Sequence, residues 1–460
     1  MLTLLDELNT IIKKYITDEN KGHFGVVDYK DPHDLKKIIQ FEISQKGVSE
    51  TTFLDLMNHY LQYSVHTGNK QFLNQLYAGF NLPAFIGEVL TALSNTSMYT
   101  YEVAPVATSI EKEMIQLMNR YAGFLQGDGI FVTGGSNGNL LAMLTARNQK
   151  IPSIRVNGYQ NTFKLTAFVN EQAHYSYETA ANIIGIGAHA VFKVKARENG
   201  SICTASLSLA IKESKARREI PFFVGATCGT TLLGAYDDLE TLADICKEEN
   251  LWLHADGSFG GSVIISHQYR YLMKGIEQVD SFVWNPHKLM NIPLICSVFL
   301  VKQKGILQQN ITDINADYIF HDIDDIEDLG KKSIQCGRRV DAVKLWFAWK
   351  YFGLEGYENR LNNIFELASY AAEKVKADPR FELASEIQSF TVCFRCLPTN
   401  HLSSNDFNFL VRENLRKSGK SMVNYGYLNK MLTIRLVTAN GELTKADIDL
   451  FFDNLVQCYP

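Results

Sequence analysis

The sequence predicts an α/β protein, with a large domain on a mostly parallel seven-stranded sheet, a smaller α+β domain towards the C-terminus and a helical N-terminal segment. Two observations carry this. Between residues 129 and 301, seven short apolar runs rich in β-branched and aromatic residues alternate with stretches of helical periodicity, the pattern of a parallel sheet covered by helices. Beyond residue 331, long amphipathic stretches are interrupted by two more strand-like runs.

In chain order, residues before about 81 are mostly helical in pattern and too few for a core of their own. They are expected to pack on another surface, that of a second subunit. Strands are expected at 129–132, 165–169, 190–194, 221–226, 251–255, 281–284 and 297–301, with helices at 139–148, 176–184, 206–215 and 239–249. Residues 310–332 are rich in Asp and lack periodicity, which reads as a mobile surface segment. Helices follow at 341–353 and from about 357 to 377. The tail gives strands at 389–395 and 431–437, a helix at 404–417 and a closing helix at 445–457 begun by Thr444.

Composition removes whole classes of function. With 46% apolar and 21% charged residues over 460 positions, the chain has material for a large core and is not disordered. Lys and Arg number 45 against 50 Asp and Glu, a net charge of -5 with both signs scattered, so no nucleic-acid footprint exists. The densest basic stretch, 212–218, contains Glu213 and reads as a solvated helix face. The longest apolar strip, 292–301, falls far short of the ~20 residues a membrane helix needs. The first residues, MLTLLDE, are acidic where a signal peptide is basic. A cytoplasmic protein with neither a membrane nor a nucleic-acid partner is expected. Eight cysteines lie without metal-type clustering, as in a reducing compartment. Cys393 and Cys396 form a CxxC on a strand-like run, where residues three apart face opposite ways.

Three segments carry chemistry. Residues 131–139, FVTGGSNGN, run from a strand through small residues into a helix. Gly134, Gly135 and Gly138 let backbone N–H groups approach an anion, and the helix N-terminus adds a positive dipole end. A phosphate cup and a structural Gly-rich turn capped by Ser both fit; the ATP and dinucleotide fingerprints do not. Residues 251–261, LWLHADGSFGG, deliver Asp256 to the carboxyl edge of the sheet, where open α/β folds bind ligands. No other carboxylate or thiol lies at metal-ligand spacing, so a protonated ring nitrogen is the better partner and no metal is expected. In residues 281–289, SFVWNPHKL, a strand ends in a turn presenting Asn285, His287 and Lys288. A lysine leaving a buried strand into a cleft is placed for nucleophilic work, with a surface lysine as the plain alternative.

Together, a phosphate cup, a carboxylate at a strand end and an imine-forming lysine are the needs of pyridoxal 5'-phosphate. The segments NPHK (285–288), HAD (254–256), GGS (134–136), QAHYS (172–176), TSMYTYEVAP (96–105) and QCGRRVDAVKLW (335–346) resemble group II pyridoxal-phosphate-dependent amino-acid decarboxylases. Within that family the chain is most similar to the glutamate, cysteine sulfinate and aspartate decarboxylase branch. The resemblance implies PLP fold type I, aspartate aminotransferase-like, with a dimerisation segment at 1–80, a cofactor domain at 81–330 whose catalytic loop spans about 310–330, and a small domain at 331–460. It further implies a homodimer with shared active sites.

The roles implied are as follows. Lys288 carries the cofactor, Asp256 pairs with the pyridine N–H, and His174 stacks on the ring unless it is simply a core histidine. Gly135, Ser136, Asn285 and His287 match phosphate-side positions, while Thr231 and Asp237 match polar groups at the cofactor's far edge. Arg435 matches the arginine that grips a substrate carboxylate, a task suited to bidentate pairing; a surface charge on a strand is the alternative. Gln75 matches a second polar contact. Tyr318, 30 residues after Lys288, matches the loop tyrosine that returns a proton to Cα after carbon dioxide departs. Gly257 stands where the family usually has Ala, and Gly138 where glutamate decarboxylases have Ser; the first frees the backbone and the second removes a phosphate contact.

For the substrate, Ser97 and Tyr99 stand where glutamate-specific relatives tend to have Asn and Phe. They resemble the cysteine sulfinate and aspartate decarboxylases, so a short acidic L-amino acid is favoured, giving hypotaurine or β-alanine. Glutamate is the near alternative, followed by 2,4-diaminobutyrate or an aromatic amino acid.

Overall fold

Runs of four to eight mainly apolar residues become strands buried on both faces, as a helix-covered parallel sheet requires. The computed structural model describes residues 2–20, 22, 24–39, 41–159, 163–311, 319–320 and 328–460. The chain divides into two units: residues 81–365 with 386–390, and residues 1–80 with 366–385 and 391–460.

The first unit holds strands β1 (Asp128–Val132), β2 (Leu165–Asn170), β3 (Val191–Val194), β4 (Ile220–Thr227), β5 (Trp252–Gly257), β6 (Ser281–Trp284) and β7 (Ser297–Val301). Their order is β1-β7-β6-β5-β4-β2-β3. Only β7 runs antiparallel to its neighbours, so the carboxyl ends of the other six share one edge. All seven expected strands form. Helices Gly135–Lys150, Ser176–Ile183, Thr204–Ala216 and Leu239–Glu249 connect them, the last begun by Asp238 accepting from the Thr241 N–H.

Two of the sequence segments singled out above meet here. The Arg338 N–H donates to Ser97 Oγ at 3.1 Å, its Nη1 donates to the Met98 carbonyl at 2.7 Å, and its guanidinium pairs with the fully buried Glu111. Glu111 in turn accepts from the Phe131 N–H at 3.0 Å, which ties β1 to the same bracket.

Residues 341–377 form helix Asp341–Ala377, interrupted at Gly353, whose φ of 67° breaks it where two helices were expected. Residues 331–365 thus group with the first unit, so the chain divides later than the boundary at 331 read from the sequence.

The expected mobile surface segment is only partly described. Residues 312–318 and 321–327, and with them Tyr318, lie outside the described residues. The remainder does not behave as surface: Asn310, Leu329, Gly330 and Lys332 are buried, and Lys332 forms a 2.6 Å ion pair with Asp128. Its Asp-rich composition hid that anchor.

The second unit contains a five-stranded sheet in the order Phe72–Leu73, Met422–Leu428, Met431–Val437, Thr391–Cys396, Phe381–Leu383. The first 80 residues therefore supply an edge strand, paired parallel with Met422–Leu428, beside helices Leu2–Asn20, Pro32–Ile38 and Glu50–Tyr63. Helix Lys445–Val456 opens with a capping box between Thr444 and Asp447. Among the described residues the eight cysteines form no disulfide. Among the described residues, no helix is long and apolar enough to cross a membrane.

Candidate active site

The carboxyl ends of five parallel strands open into one cavity. β1 leads to Gly135, Ser136 and Asn139; β2 to Gln172 and His174; β4 to Thr227, Gly229 and Thr231; β5 to Asp256, Ser258 and Phe259; β6 to Asn285, His287 and Lys288. Ligands bind at this edge in open α/β folds because loops diverge there and helix N-termini point inward.

Helix Gly135–Lys150 supplies such an N-terminus. Gly134 sits before it with φ 121°, a backbone only glycine adopts readily, and no side chain caps the first turn. A Cβ on Gly135 would lie 2.2 Å from Ser258 Oγ and 3.0 Å from Asn285 Nδ2, so glycine is what lets the helix end approach β5 and β6. Gly138 is equally constrained: its Cβ would meet Val283 Cγ2 at 2.4 Å. The serine of other relatives would not fit without a shift of β6, so this departure is a packing requirement as well as a lost hydroxyl. Gly257 is likewise not a loosened backbone, since a Cβ there would lie 2.4 Å from the Phe282 ring.

Asp256 is buried, and burial alone would raise its pKa; hydrogen bonds from Ser258 and Asn139 outweigh that and hold it below the ordinary carboxylate value. Its Oδ1 accepts from the Ser258 N–H at 3.0 Å and its Oδ2 from Asn139 Nδ2 at 2.8 Å. His287 donates from Nδ1 to the Cys296 carbonyl at 2.6 Å, and burial reinforced by the neighbouring Lys288 pushes its pKa down to about 3. His174 accepts at Nδ1 from the Ser176 N–H at 3.2 Å, and burial lowers its pKa, so at neutral pH the ring carries its proton on Nε2. Lys288 Nζ lies 5.9 Å from the centre of the Phe259 ring.

The cavity suits a polar, anionic ligand with an apolar body. Asn285 Oδ1, Thr227 Oγ1 and Gln172 Oε1 are buried without a hydrogen-bond partner among the described residues, and all three residues line it. A phosphorylated pyridine aldehyde fits that set: amides and helix end for the phosphate, an ionised carboxylate for the ring nitrogen, a lysine amine for the aldehyde.

Eight sequence-predicted residues thus converge: Gly135, Ser136, His174, Thr231, Asp256, Asn285, His287 and Lys288. Others do not line the cavity. Asp237 is buried and accepts from the Thr227 N–H at 2.7 Å, the Ile202 N–H at 2.6 Å and Asn170 Nδ2 at 3.0 Å. It knits β2, β4 and a loop together rather than facing the cavity, and burial raises its pKa to about 6. Ser97 and Tyr99 are half-buried; the Ser97 hydroxyl accepts from Arg338, and the Tyr99 carbonyl accepts from the Gly330 N–H at 2.8 Å. Arg435 and Gln75 belong to the second unit. There Arg435 is buried on its strand, not surface-exposed, and donates from Nη2 to the Asn74 carbonyl at 2.9 Å.

Sequence reasoning assigned no role to Asn139, Ser258, Thr227 or Gln172, which line the same cavity. Strand alternation held one usable signal, since His254 and Asp256 share a face of β5.

Comparisons with known proteins bear on the family and the fold. The model of the pyridoxal-dependent decarboxylase conserved domain matches residues 32–397. The chain is 37% identical to the cysteine sulfinic acid decarboxylase of Homo sapiens, over 94% of this chain and 90% of that protein. It is 35% identical to the acidic amino acid decarboxylase GADL1 of Bos taurus, over 98% of this chain and 89% of that protein. The crystal structure of mouse CSAD in apo form superposes with a TM-score of 0.95 at 34% identity, covering 99% of this chain and 98% of that one.

Proposed function

We propose, from the premise that this chain belongs to the pyridoxal-dependent decarboxylase family, that it releases carbon dioxide from a short acidic L-amino acid, cysteine sulfinate or aspartate. The observation that carries the site reading is the convergence of Lys288, Asp256, His174 and an uncapped helix end in one cavity. Pyridoxal phosphate, when bound, supplies a sink for the electron pair left behind as the α-carboxylate departs.

The chain's own groups have separable tasks. Lys288 would hold the cofactor through Nζ, and Asp256, kept ionised by its two donors, would accept from the ring N–H. His174 would stack on the ring, and the backbone at Gly135 and Ser136, with Asn285 and His287, would hold the phosphate. Thr231 contributes a hydroxyl at the rim, while Asp237 acts by fixing the Thr227 backbone. Tyr318 returns a proton to Cα.

Arg435 grips the distal acid group, where a buried guanidinium makes a strong charge-assisted pair, and Gln75 adds a polar contact. Ser97 and Tyr99 shape the pocket for the shorter chain. The relatives named for cysteine sulfinic acid and acidic amino acids support this choice of substrate.

The active form is a homodimer with shared sites and residues 1–80 as the clasping arm. Helix Leu82–Ser94 supports this, since Leu82, Ile86, Val89, Leu90 and Leu93 recur at helical spacing and are exposed. The enzyme works in the cytosol, in keeping with eight cysteines that form no disulfide among the described residues.

Carbon dioxide release from a panel of cysteine sulfinate, aspartate, glutamate, 2,4-diaminobutyrate and the aromatic amino acids tests the substrate. One methylene is worth roughly 10–200-fold, so kcat/KM for cysteine sulfinate or aspartate should exceed that for glutamate by at least that lower bound. Equal or faster turnover of glutamate refutes it.

A further inference from the structure

Behind Asp256 lies a chain of hydrogen bonds whose direction the ionised carboxylate fixes. Trp252, at the start of β5, has an indole N–H that can donate but not accept. It donates to Ser281 Oγ on β6 at 2.8 Å. Ser281 Oγ also lies 2.8 Å from His254 Nδ1 and donates to it when the imidazole proton sits on Nε2. A neutral imidazole that accepts at Nδ1 carries its proton on Nε2, and that N–H donates to Asn139 Oδ1 at 2.9 Å. The Asn139 carboxamide is thereby oriented. Its two Nδ2 hydrogens go to Asp256 Oδ2 at 2.8 Å and Ser176 Oγ at 2.9 Å. Ser281, His254 and Asn139 are at most 1% exposed, so water cannot substitute for a missing partner.

We propose that Trp252, Ser281, His254 and Asn139 are positioning residues that hold Asp256 as a pure acceptor towards the cofactor's ring nitrogen, with the indole N–H anchoring the far end of the chain at Ser281. The proposal rests on the reading of Asp256 as the ring's partner. Reversing the chain would turn Asn139 Oδ1 against Asp256 Oδ2, acceptor against acceptor, unless the carboxylate took up a proton. The polarity of the chain and the ionisation of Asp256 are therefore one equilibrium. Burial keeps His254 neutral, as a directional link requires. The same amide reaches towards the second cofactor-facing group, since the Ser176 N–H sets the tautomer of His174.

A merely structural role would be to stitch β5 to β6, and a double-mutant cycle separates the two. Ser281→Ala and Trp252→Phe are made in the wild-type and Asp256→Asn backgrounds. For each full-length protein the readouts are the dissociation constant for pyridoxal phosphate, the pH midpoint of its visible absorbance when bound, and thermal stability. Each single variant is expected to weaken binding by roughly five- to tenfold, the worth of about one buried hydrogen bond, and to move the midpoint. Neither should add anything once Asp256 is replaced. Effects that add fully in the Asp256→Asn background overturn the proposal, as does lost thermal stability with both cofactor readouts unchanged. Trp252 is partly exposed, so its variant carries the test if Ser281→Ala fails to fold. If Asp256→Asn alone changes neither readout, the reading of Asp256 falls and the proposal with it.

Discussion

The two sheets distribute polar groups in opposite ways. In the large sheet the inner strands are buried and mainly apolar, and the groups that line the cavity are gathered at one edge, where five parallel strands end together. In the smaller sheet, antiparallel apart from its edge strand, the ends do not converge, and its charged groups sit within the strands: Arg435 lies opposite Cys393 and Asn424 with apolar residues on either side. Parallel order concentrates function where backbone geometry, not side-chain packing, makes the room. Substitutions at the edge of the large sheet should therefore remove activity and spare the fold, while those inside either unit should move substrate choice or stability.

The largest expected effect breaks the edge itself. Lys288→Ala should lower kcat/KM by about 10³-fold or more with an unchanged far-UV circular dichroism spectrum; a folded variant that still turns over contradicts the contrast. Next comes the interior of the same unit. Arg338→Met leaves Glu111 buried without its cation, and breaking such a pair costs about 3–5 kcal/mol, read as a lower denaturation midpoint. In the second unit, Arg435→Lys keeps the charge but loses the planar fork. It should raise KM for acidic substrates by about tenfold, the cost of about one charge-assisted hydrogen bond, with little change in kcat.

The smallest effect concerns Glu19. Burial pushes its pKa to about 7 from the ordinary 4.5, only partly offset by a backbone hydrogen bond from Gly68. The folded value exceeds the unfolded one, so the folded state binds the extra proton between about 4.5 and 7. Stability falls as pH rises through that window and stays lower above it. Glu19→Gln should then raise the melting temperature at pH 8 by roughly 1–3 °C and gain nothing at pH 4.5. An equal gain at both pH values refutes the titration.

The same contrast explains what was legible in the sequence. All seven strands of the large sheet could be read, because all but the edge strand Val191–Val194 are buried on both faces, which writes mainly apolar runs. Met422–Leu428 could not: Asn424 and Gly426 dilute it and five of its seven residues are at least partly exposed. The two-residue strand Phe72–Leu73 is too short to carry a pattern. Of the site, residues within one short segment were legible, such as Asn285 with His287 and Lys288. The Asn139–His254–Ser281–Trp252 chain was not, since its members come from three segments and only tertiary packing joins them. Asp237 matched by position, yet its three donors turn the carboxylate into a backbone tie.

The central claim is that the cavity at this edge holds pyridoxal phosphate on one particular lysine. Borohydride reduction of the holoenzyme followed by peptide mapping tests it directly. The pyridoxyl mass should appear on the peptide containing Lys288 and on no other lysine; its appearance elsewhere, or no modification in a protein that shows the bound cofactor's visible band, contradicts the account.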